Sequence, residues 1–478
     1  MEWSSERRNL LEIRVPKAQR FHGPTSPGLP ELPTPQREGL KLIDQSRGYE
    51  YTLKTHIVPA AWPRSAPDVG YPAGSGVGGL QDRGEFLRVR EEMIEVKEKY
   101  LRGELPEGRD ERQYWVCVNR YVRNRLEEEC EGRKRLTLFL THGIGFGKEC
   151  WEPVLLHLLS NLREEDPIVD EIWSWDAANH GDSALLNKEN LSSLYDWSDN
   201  VRDITNFLLN YLPDSAELHS ILPTHLQRMP GKISETRTKN GFSHRTVVGI
   251  GHSFGGGSLA LAVINNPMLF SSLVLVDPVV LPPPPPGRVR SWTEAFQIFP
   301  SLNDFVDGAL TRRSTWKSKT HALEMLKKIP WFAAWDPLAL EIYVDCQMYD
   351  DKSTGETKLK TTGIWEGATF MEVHVPFEVW DRIGELDQRV RLHYIQPEYC
   401  TLPGMADSRP HMTWLRPKNA SNVVLPGQGH LVSTFSETFE VFHTNAVRLK
   451  LCQEVPEKLG HELLWFFRSE YGCLKSRL

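Results

Sequence analysis

The chain has 478 residues, 40% hydrophobic and 25% charged, a globular composition long enough for one large α/β domain with insertions or for two to three smaller domains. A net charge of −7 argues against a dedicated nucleic-acid binder, and seven scattered cysteines without a CxxC pair fit reduced thiols in an intracellular compartment better than a disulfide framework. The N-terminus lacks an apolar signal region and no apolar run approaches the roughly 20 residues of a membrane helix, so neither a secretory leader nor a membrane span is expected.

Residues 1–48 are rich in Pro, Gly and charge and read as an N-terminal extension draped over the surface. The charged stretch from Glu91 to Glu104 predicts an exposed helix between early strands. Strands are expected at Tyr114–Val118, Arg135–Leu140, Ile168–Trp173, Thr246–Ile250, Leu273–Val276, Val390–Ile395 and Ser421–Leu425. Helical-period stretches such as 151–160, 195–211 and 257–265 separate several of them. Short apolar strands alternating with helices mean a mostly parallel sheet covered on both faces.

Between Val276 and Val390 lie more than 100 residues that open on Pro282–Pro286 and then carry aromatic helical segments, including Trp316 and Trp331 to Trp335. A stiff proline break followed by such segments predicts a helical lid inserted into the sheet order. The expected division is an extension over 1–48, the first part of the core over 49–281, the lid over 282–388, and the last part of the core over 389–478.

The chemistry centres on Gly251-His252-Ser253-Phe254-Gly255-Gly256, which follows the strand candidate ending at Ile250 and precedes the helical Ser258-Leu259-Ala260-Leu261-Ala262. A G-x-S-x-G turn between strand and helix is so sharp that its flanking residues must be small, and it lifts the serine above the sheet as a nucleophile. By itself this pattern is weak; the strand–turn–helix context makes it specific. The class is therefore the α/β-hydrolase fold, with Ser253 as nucleophile. The backbone N–H groups of Phe254 and of Ile144, in Thr141-His142-Gly143-Ile144-Gly145, are the expected oxyanion hole. His142 precedes the serine, which is the wrong chain order for the base in this fold, and is expected to be structural.

Seven histidines follow the serine: His321, His374, His393, His411, His430, His443 and His461. Only His430 stands in a glycine-bearing loop, Pro426-Gly427-Gln428-Gly429-His430-Leu431-Val432, just after a short apolar strand, so it is the expected base. Two locations compete for the acid that fixes its tautomer: Asp277, at the end of the strand after the nucleophile's helix, and Glu398 or Asp407, one strand later. The loop Asp176-Ala177-Ala178-Asn179-His180-Gly181-Asp182-Ser183 is expected to brace the serine turn.

These pieces, with His56-Ile57-Val58-Pro59-Ala60, Val276-Asp277-Pro278, Arg313-Ser314-Thr315-Trp316-Lys317-Ser318 and Trp335-Asp336-Pro337, resemble the fungal peroxisomal α/β-hydrolases. That group contains the mycophenolic-acid acyl-CoA hydrolase, toxin-biosynthesis hydrolases and the yeast peroxisomal lipase. The resemblance covers roughly residues 50 to 450. In the mycophenolic-acid member the acid follows the strand right after the nucleophile's helix, and Asp277, 24 residues after Ser253, falls on that position. The resemblance therefore favours Asp277 over Glu398. Segments 66–110 and 213–244 look longer than in that group, and the proline run of the lid is unusual; lids set substrate choice, so these departures bear on the substrate more than on the chemistry.

The resulting expectation is a serine hydrolase that splits an acyl thioester or ester, with a bulky apolar acyl-CoA of a specialised metabolite implied by the resemblance. A carboxylesterase or lipase with the same triad is the nearest rival, and a silent binding protein on the same scaffold is a different class of reading. An epoxide hydrolase is disfavoured, because that chemistry wants an aspartate where Ser253 stands. No metal or redox cofactor is expected, and a homodimer is left open. The final residues Ser476-Arg477-Leu478 keep the small–basic–leucine order of the Ser-Lys-Leu address, so a peroxisomal location and an import receptor as partner are expected.

Overall fold

The computed structural model describes residues 10–15, 28–73, 79–80, 82–105, 112–126, 132–216, 222–284, 291, 294–295, 300–398, 405–426 and 451–472. Twelve strands are formed among them. These are β1 Ile43–Asp44, β2 Tyr49–Pro59, β3 Trp115–Arg123, β4 Arg135–Thr141, β5 Ile168–Trp175, β6 Thr246–His252, β7 Ser272–Val276, β8 Thr315–Trp316, β9 Met348–Asp351, β10 Glu356–Leu359, β11 Arg391–Pro397 and β12 Ala420–Leu425. Nine make one sheet in the order β1-β2-β3-β5-β4-β6-β7-β11-β12. Pairing is antiparallel from β1 to β5 and parallel from there on.

The alternation of side chains along each strand supplies two cores. Val247, Leu273 and Leu275 point to one face, where they meet Val201, Ile204 and Phe207 of α4 (Trp197–Asn210) and Leu259 and Val263 of α6 (Phe254–Asn265). Val248, Ile250, Val274 and Val276 point to the other face. There they meet Val154, Leu155 and Leu158 of α2 (Glu152–Ser160) and Leu463, Phe466 and Phe467 of the helix Pro456–Tyr471. Full burial of each such side chain is worth about 1.5–3 kcal/mol, and β6 and β7 carry apolar side chains on both faces, as strands covered on both sides do.

The expected strands are all present, mostly extended by a few residues. The helix after the serine begins at Phe254, four residues before the expected start, because the glycines of the turn are themselves helical. The charged stretch around 91–104 differs from expectation more clearly. It belongs to α1 (Arg83–Leu101), capped by Asp82, and one face of it is buried through Val89, Met93 and Lys97. The spacing of four between these residues makes that face, and Lys97 is tolerated on it because its Nζ lies 2.6 Å from Glu372. The block between β7 and β11 is likewise not wholly helical, since β8, β10 and β9 form a separate antiparallel sheet.

Two shorter helices, α3 (Gly181–Asn187) and α5 (Gly231–Asn240), complete the first part of the chain. The carboxyl ends of β4, β5, β6, β7 and β11 all open on the same edge of the sheet, through the loops starting at His142, Asp176, Ser253, Asp277 and Glu398. Open parallel sheets bind their ligands at that edge.

Candidate active site

Ser253 occupies the junction between β6 and α6 with φ 54° and ψ −119°. A residue with a Cβ is strained there, and such strain collects at functional sites. The turn is held by its surroundings. The Ser253 N–H donates to the Val276 carbonyl at 3.1 Å, and the Ser253 carbonyl accepts from the N–H groups of Gly257 and Val279. Gly251 has no room for a side chain: a Cβ there would lie 2.7 Å from the Gly256 Cα.

The loop after β4 runs directly against this turn. A Cβ on Gly143 would lie 3.3 Å from the Cβ of Ser253, and the Gly255 N–H donates to the His142 carbonyl at 3.1 Å. Ile144 and Phe254 thus stand on the two segments that meet at Ser253. Among the described residues neither of their N–H groups donates to a backbone carbonyl. Phe254 heads α6, where the first N–H groups have no intrahelical acceptor. Its ring is clamped by Trp197 at 4.7 Å and by His180 at 5.9 Å between centroids.

His142 is held inside. Its Nε2 accepts from the Ala177 N–H at 3.0 Å, so the proton sits on Nδ1, which donates to the Gly143 carbonyl at 2.8 Å. Burial pushes its pKa down to about 4. Burial likewise pushes His180 well down, with further contributions from His142 and Arg312.

The loop after β5 carries a buried charge network. Asp176 accepts from the backbone N–H groups of Lys148 and Asp182 and from Lys148 Nζ. Lys148 Nζ also reaches Asp182 at 2.6 Å and Glu149 at 2.9 Å. Asp182 receives a second ammonium, that of Lys360, at 2.5 Å. Burial works against ionised Asp182, and the two lysines overcome it and hold its carboxyl below the ordinary range. Lys360 follows β10, so this network fastens the block between β7 and β11 to the sheet. Phe146 packs against Trp335 and Tyr343 of that block and, at 6.4 Å between centroids, against His252.

Asp277 stands directly after β7, with φ 42°, and its N–H donates to the Ile395 carbonyl at 2.8 Å. Its Oδ1 accepts from Arg409 Nη2 at 2.7 Å. Its buried Oδ2 has no hydrogen-bond partner among the described residues. Burial pushes the carboxyl up to about 6, with Arg409 pulling the other way. Glu398, by contrast, is exposed, and its N–H donates to the Leu425 carbonyl at 3.2 Å. Asp407 lies in the helix Met405–Trp414.

The fold therefore brings together Ser253, Phe254, Ile144 and Asp277 at one edge of the sheet. His430 lies outside the described residues, as does Ser476-Arg477-Leu478. Of the other histidines after the serine, His393 lies within β11, bonded to Ser421 at 2.8 Å, and His374 faces Glu372 at 3.2 Å. Arg409 has no signature in the sequence, since an arginine on a helix beyond β11 carries no local signal of a partner 132 residues away. Cys150 is a free thiol that burial holds protonated. No group of metal-ligating residues occurs among the described residues, and no helix there is long and apolar enough to cross a membrane.

Residues 138–442 match the model of the Alpha/beta hydrolase family. Among curated proteins, the type I acyl-CoA thioesterase mpaH of Penicillium brevicompactum is 30% identical over 206 residues, which are 43% of this chain and 38% of that protein. The peroxisomal membrane protein LPX1 of Saccharomyces cerevisiae is 32% identical over 157 residues, 33% of this chain and 34% of that one. The chain thus matches only about a third to two fifths of these relatives' length. Among solved structures, the peroxisomal alpha-beta-hydrolase Lpx1 of Saccharomyces cerevisiae superposes with a TM-score of 0.57 at 17% identity, covering 89% of this chain and 94% of that one.

Proposed function

This chain belongs to the Alpha/beta hydrolase family, and from that premise we propose that it is a serine hydrolase acting on an acyl-CoA thioester with a bulky apolar acyl group. The carrying observation is the pair Ser253 and Asp277. Both are non-glycine residues at positive φ, on neighbouring strand ends, and the buried acid keeps one oxygen without a partner among the described residues.

In this reading His430 takes the Ser253 proton as Oγ attacks the acyl carbonyl, and the N–H groups of Ile144 and Phe254 hold the resulting oxyanion. Collapse expels the thiol, which leaves with the proton from His430, and an acyl-serine remains. His430 then removes a proton from water, the hydroxide attacks the acyl carbon, and the free acid departs as Ser253 regains its proton. Oδ2 of Asp277 accepts a hydrogen bond from Nδ1–H of His430 throughout and stays ionised. These steps call for no metal or redox cofactor.

The acyl-CoA preference draws support from the name of the Penicillium relative, and the apolar preference from Phe146, Trp335 and Tyr343 beside the serine turn. Residues 282–388 would then act as a lid. A peroxisomal location draws support from the names of the yeast relative. It is tested by imaging a protein tagged at its N-terminus, with and without Ser476-Arg477-Leu478.

The deciding experiment for the chemistry is turnover of an acyl-CoA panel and of matched oxygen esters, before and after Ser253→Ala. Loss of free CoA release in the variant, with a fluorophosphonate adduct on Ser253 in the parent, is the expected result. Unchanged turnover would sink the reading, and preference for the oxygen ester would reassign the enzyme as a carboxylester hydrolase.

A further inference from the structure

Asp277 is only 1% exposed and Arg409 only 7%. A carboxylate taken out of water that far tends to pick up a proton, and once protonated it no longer offers an anionic acceptor to the Nδ1–H of a base. Something must keep it charged. The ionisable side chains on the flanking strand ends are His252 at the end of β6, His142 after β4 and Glu398 after β11. Helix α6, packed beneath, has none. The cation that contacts the carboxylate is Arg409, arriving from the helix Met405–Trp414.

Arg409 also restricts where the carboxylate points. Its Nη1 donates to the carbonyl of Pro397, the last residue of β11, at 2.8 Å, while Nη2 donates to Asp277 Oδ1 at 2.7 Å. One planar guanidinium therefore bridges the ends of two adjacent strands, β11 and β7. That use of two fixed donors is something lysine cannot reproduce. With Oδ1 engaged on one side, Oδ2 is the oxygen turned away from the guanidinium, and it is buried without a hydrogen-bond partner among the described residues.

We propose that Arg409 is the positioning residue of the catalytic acid: it keeps the Asp277 carboxylate ionised and oriented through Oδ1, leaves Oδ2 for the base, and so sets the lower pH limit at which the enzyme works. The proposal rests on Asp277 being the acid. Removing the arginine raises the proton affinity both of Asp277 and of the imidazole it supports, so the acidic limb of the rate profile moves to higher pH. That direction follows whichever of the two groups dominates the limb.

The test is kcat/KM from pH 5 to 9 for the parent, Arg409→Gln, Arg409→Lys and Asp277→Asn. In Arg409→Gln the acidic limb is expected to move up by about one pH unit, so that for a parent limb near pH 6 the ratio of activity at pH 6 to that at pH 8.5 falls about fivefold. Arg409→Lys, which keeps the charge and loses the fork, should retain the parent limb with a lower kcat. A limb that superposes on the parent's in Arg409→Gln, or a loss of the same factor at every pH, overturns the proposal. Where Arg409→Gln lacks a cooperative unfolding transition, Arg409→Lys decides: a shifted limb there overturns it. Asp277→Asn at full activity would instead defeat the assignment of the acid itself, whatever the arginine variants do.

Discussion

The Gly255 N–H donates to the His142 carbonyl at 3.1 Å, and this bond joins the two segments that carry the proposed oxyanion donors, Phe254 just before Gly255 and Ile144 two residues after His142. No side chain fits between them. A Cβ on Gly255 would come within 2.4 Å of the His142 oxygen, and that obstacle is backbone, which cannot swing aside. Gly255→Ala should therefore push the loop after β4 away from the serine turn. Losing the alignment of one oxyanion donor costs about 10²–10³ in kcat, and overpacking costs about 1–3 kcal/mol of stability. Steady-state turnover and urea unfolding of the same preparation check both, and an alanine variant with parent kcat would separate this contact from catalysis.

His142 couples stability to pH. Folded, its pKa is about 4, because burial disfavours the charged ring; unfolded, it returns to about 6.5. The native state therefore excludes a proton that the unfolded chain accepts. The stabilisation from this residue is complete above pH 6.5 and is lost as pH falls toward 4. It amounts to about 3 kcal/mol over that window. Chemical unfolding of the parent and of His142→Gln at intervals from pH 4 to 7.5 should give a shallower slope in the variant. Buried His56 is also pushed down by burial and titrates in both proteins, so it cancels, whereas His180 feels His142 directly, and the difference reports His142 together with its effect on His180.

Much of this was legible because it depends on local pattern. The interior strands β4, β6 and β7 are short apolar runs, and the serine turn carries glycines whose small size the geometry demands. What escaped the sequence depends on partners far along the chain. Lys97 reads as one more charge on a solvated helix until Glu372 meets it across 275 residues. Strands β8, β9 and β10, of two to four residues, are too short for alternation to announce them. Asp277 and Glu398 look equivalent as residues at strand ends. What separates them is burial and an arginine from a helix past β11, neither of which is written near either carboxylate.

Lys360 is the far anchor of the charge network under the Asp176 loop, and its Nζ and the Asp182 carboxylate are both nearly excluded from solvent. Leaving a buried charge wholly uncompensated costs about 3–5 kcal/mol. Asp182 keeps Lys148 at 2.6 Å when Lys360 is removed, so Lys360→Met should lower stability by less than that range. Adding Asp182→Asn should cost little more, because the charge left behind is removed. A double-mutant cycle by urea unfolding measures this; simple additivity of the two losses would mean that the pair is not coupled.

Ser253 should cost the fold stability, since its φ of 54° lies in the left-handed half of the map, where a Cβ is unwelcome. At an ordinary site alanine is more stabilising than glycine, by about 0.4–1 kcal/mol, because glycine gives the unfolded chain more freedom. Here that order should reverse. Ser253→Ala keeps the Cβ and its strain, while Ser253→Gly relieves a strain of about 1–3 kcal/mol. The glycine variant is therefore expected to unfold at higher urea concentration than the alanine variant, although both lack the proposed nucleophile and hydrolyse nothing. Alanine ahead by about 0.4–1 kcal/mol, the ordinary difference, would mean that the turn holds Ser253 without strain, and would remove the backbone feature offered for its assignment as nucleophile.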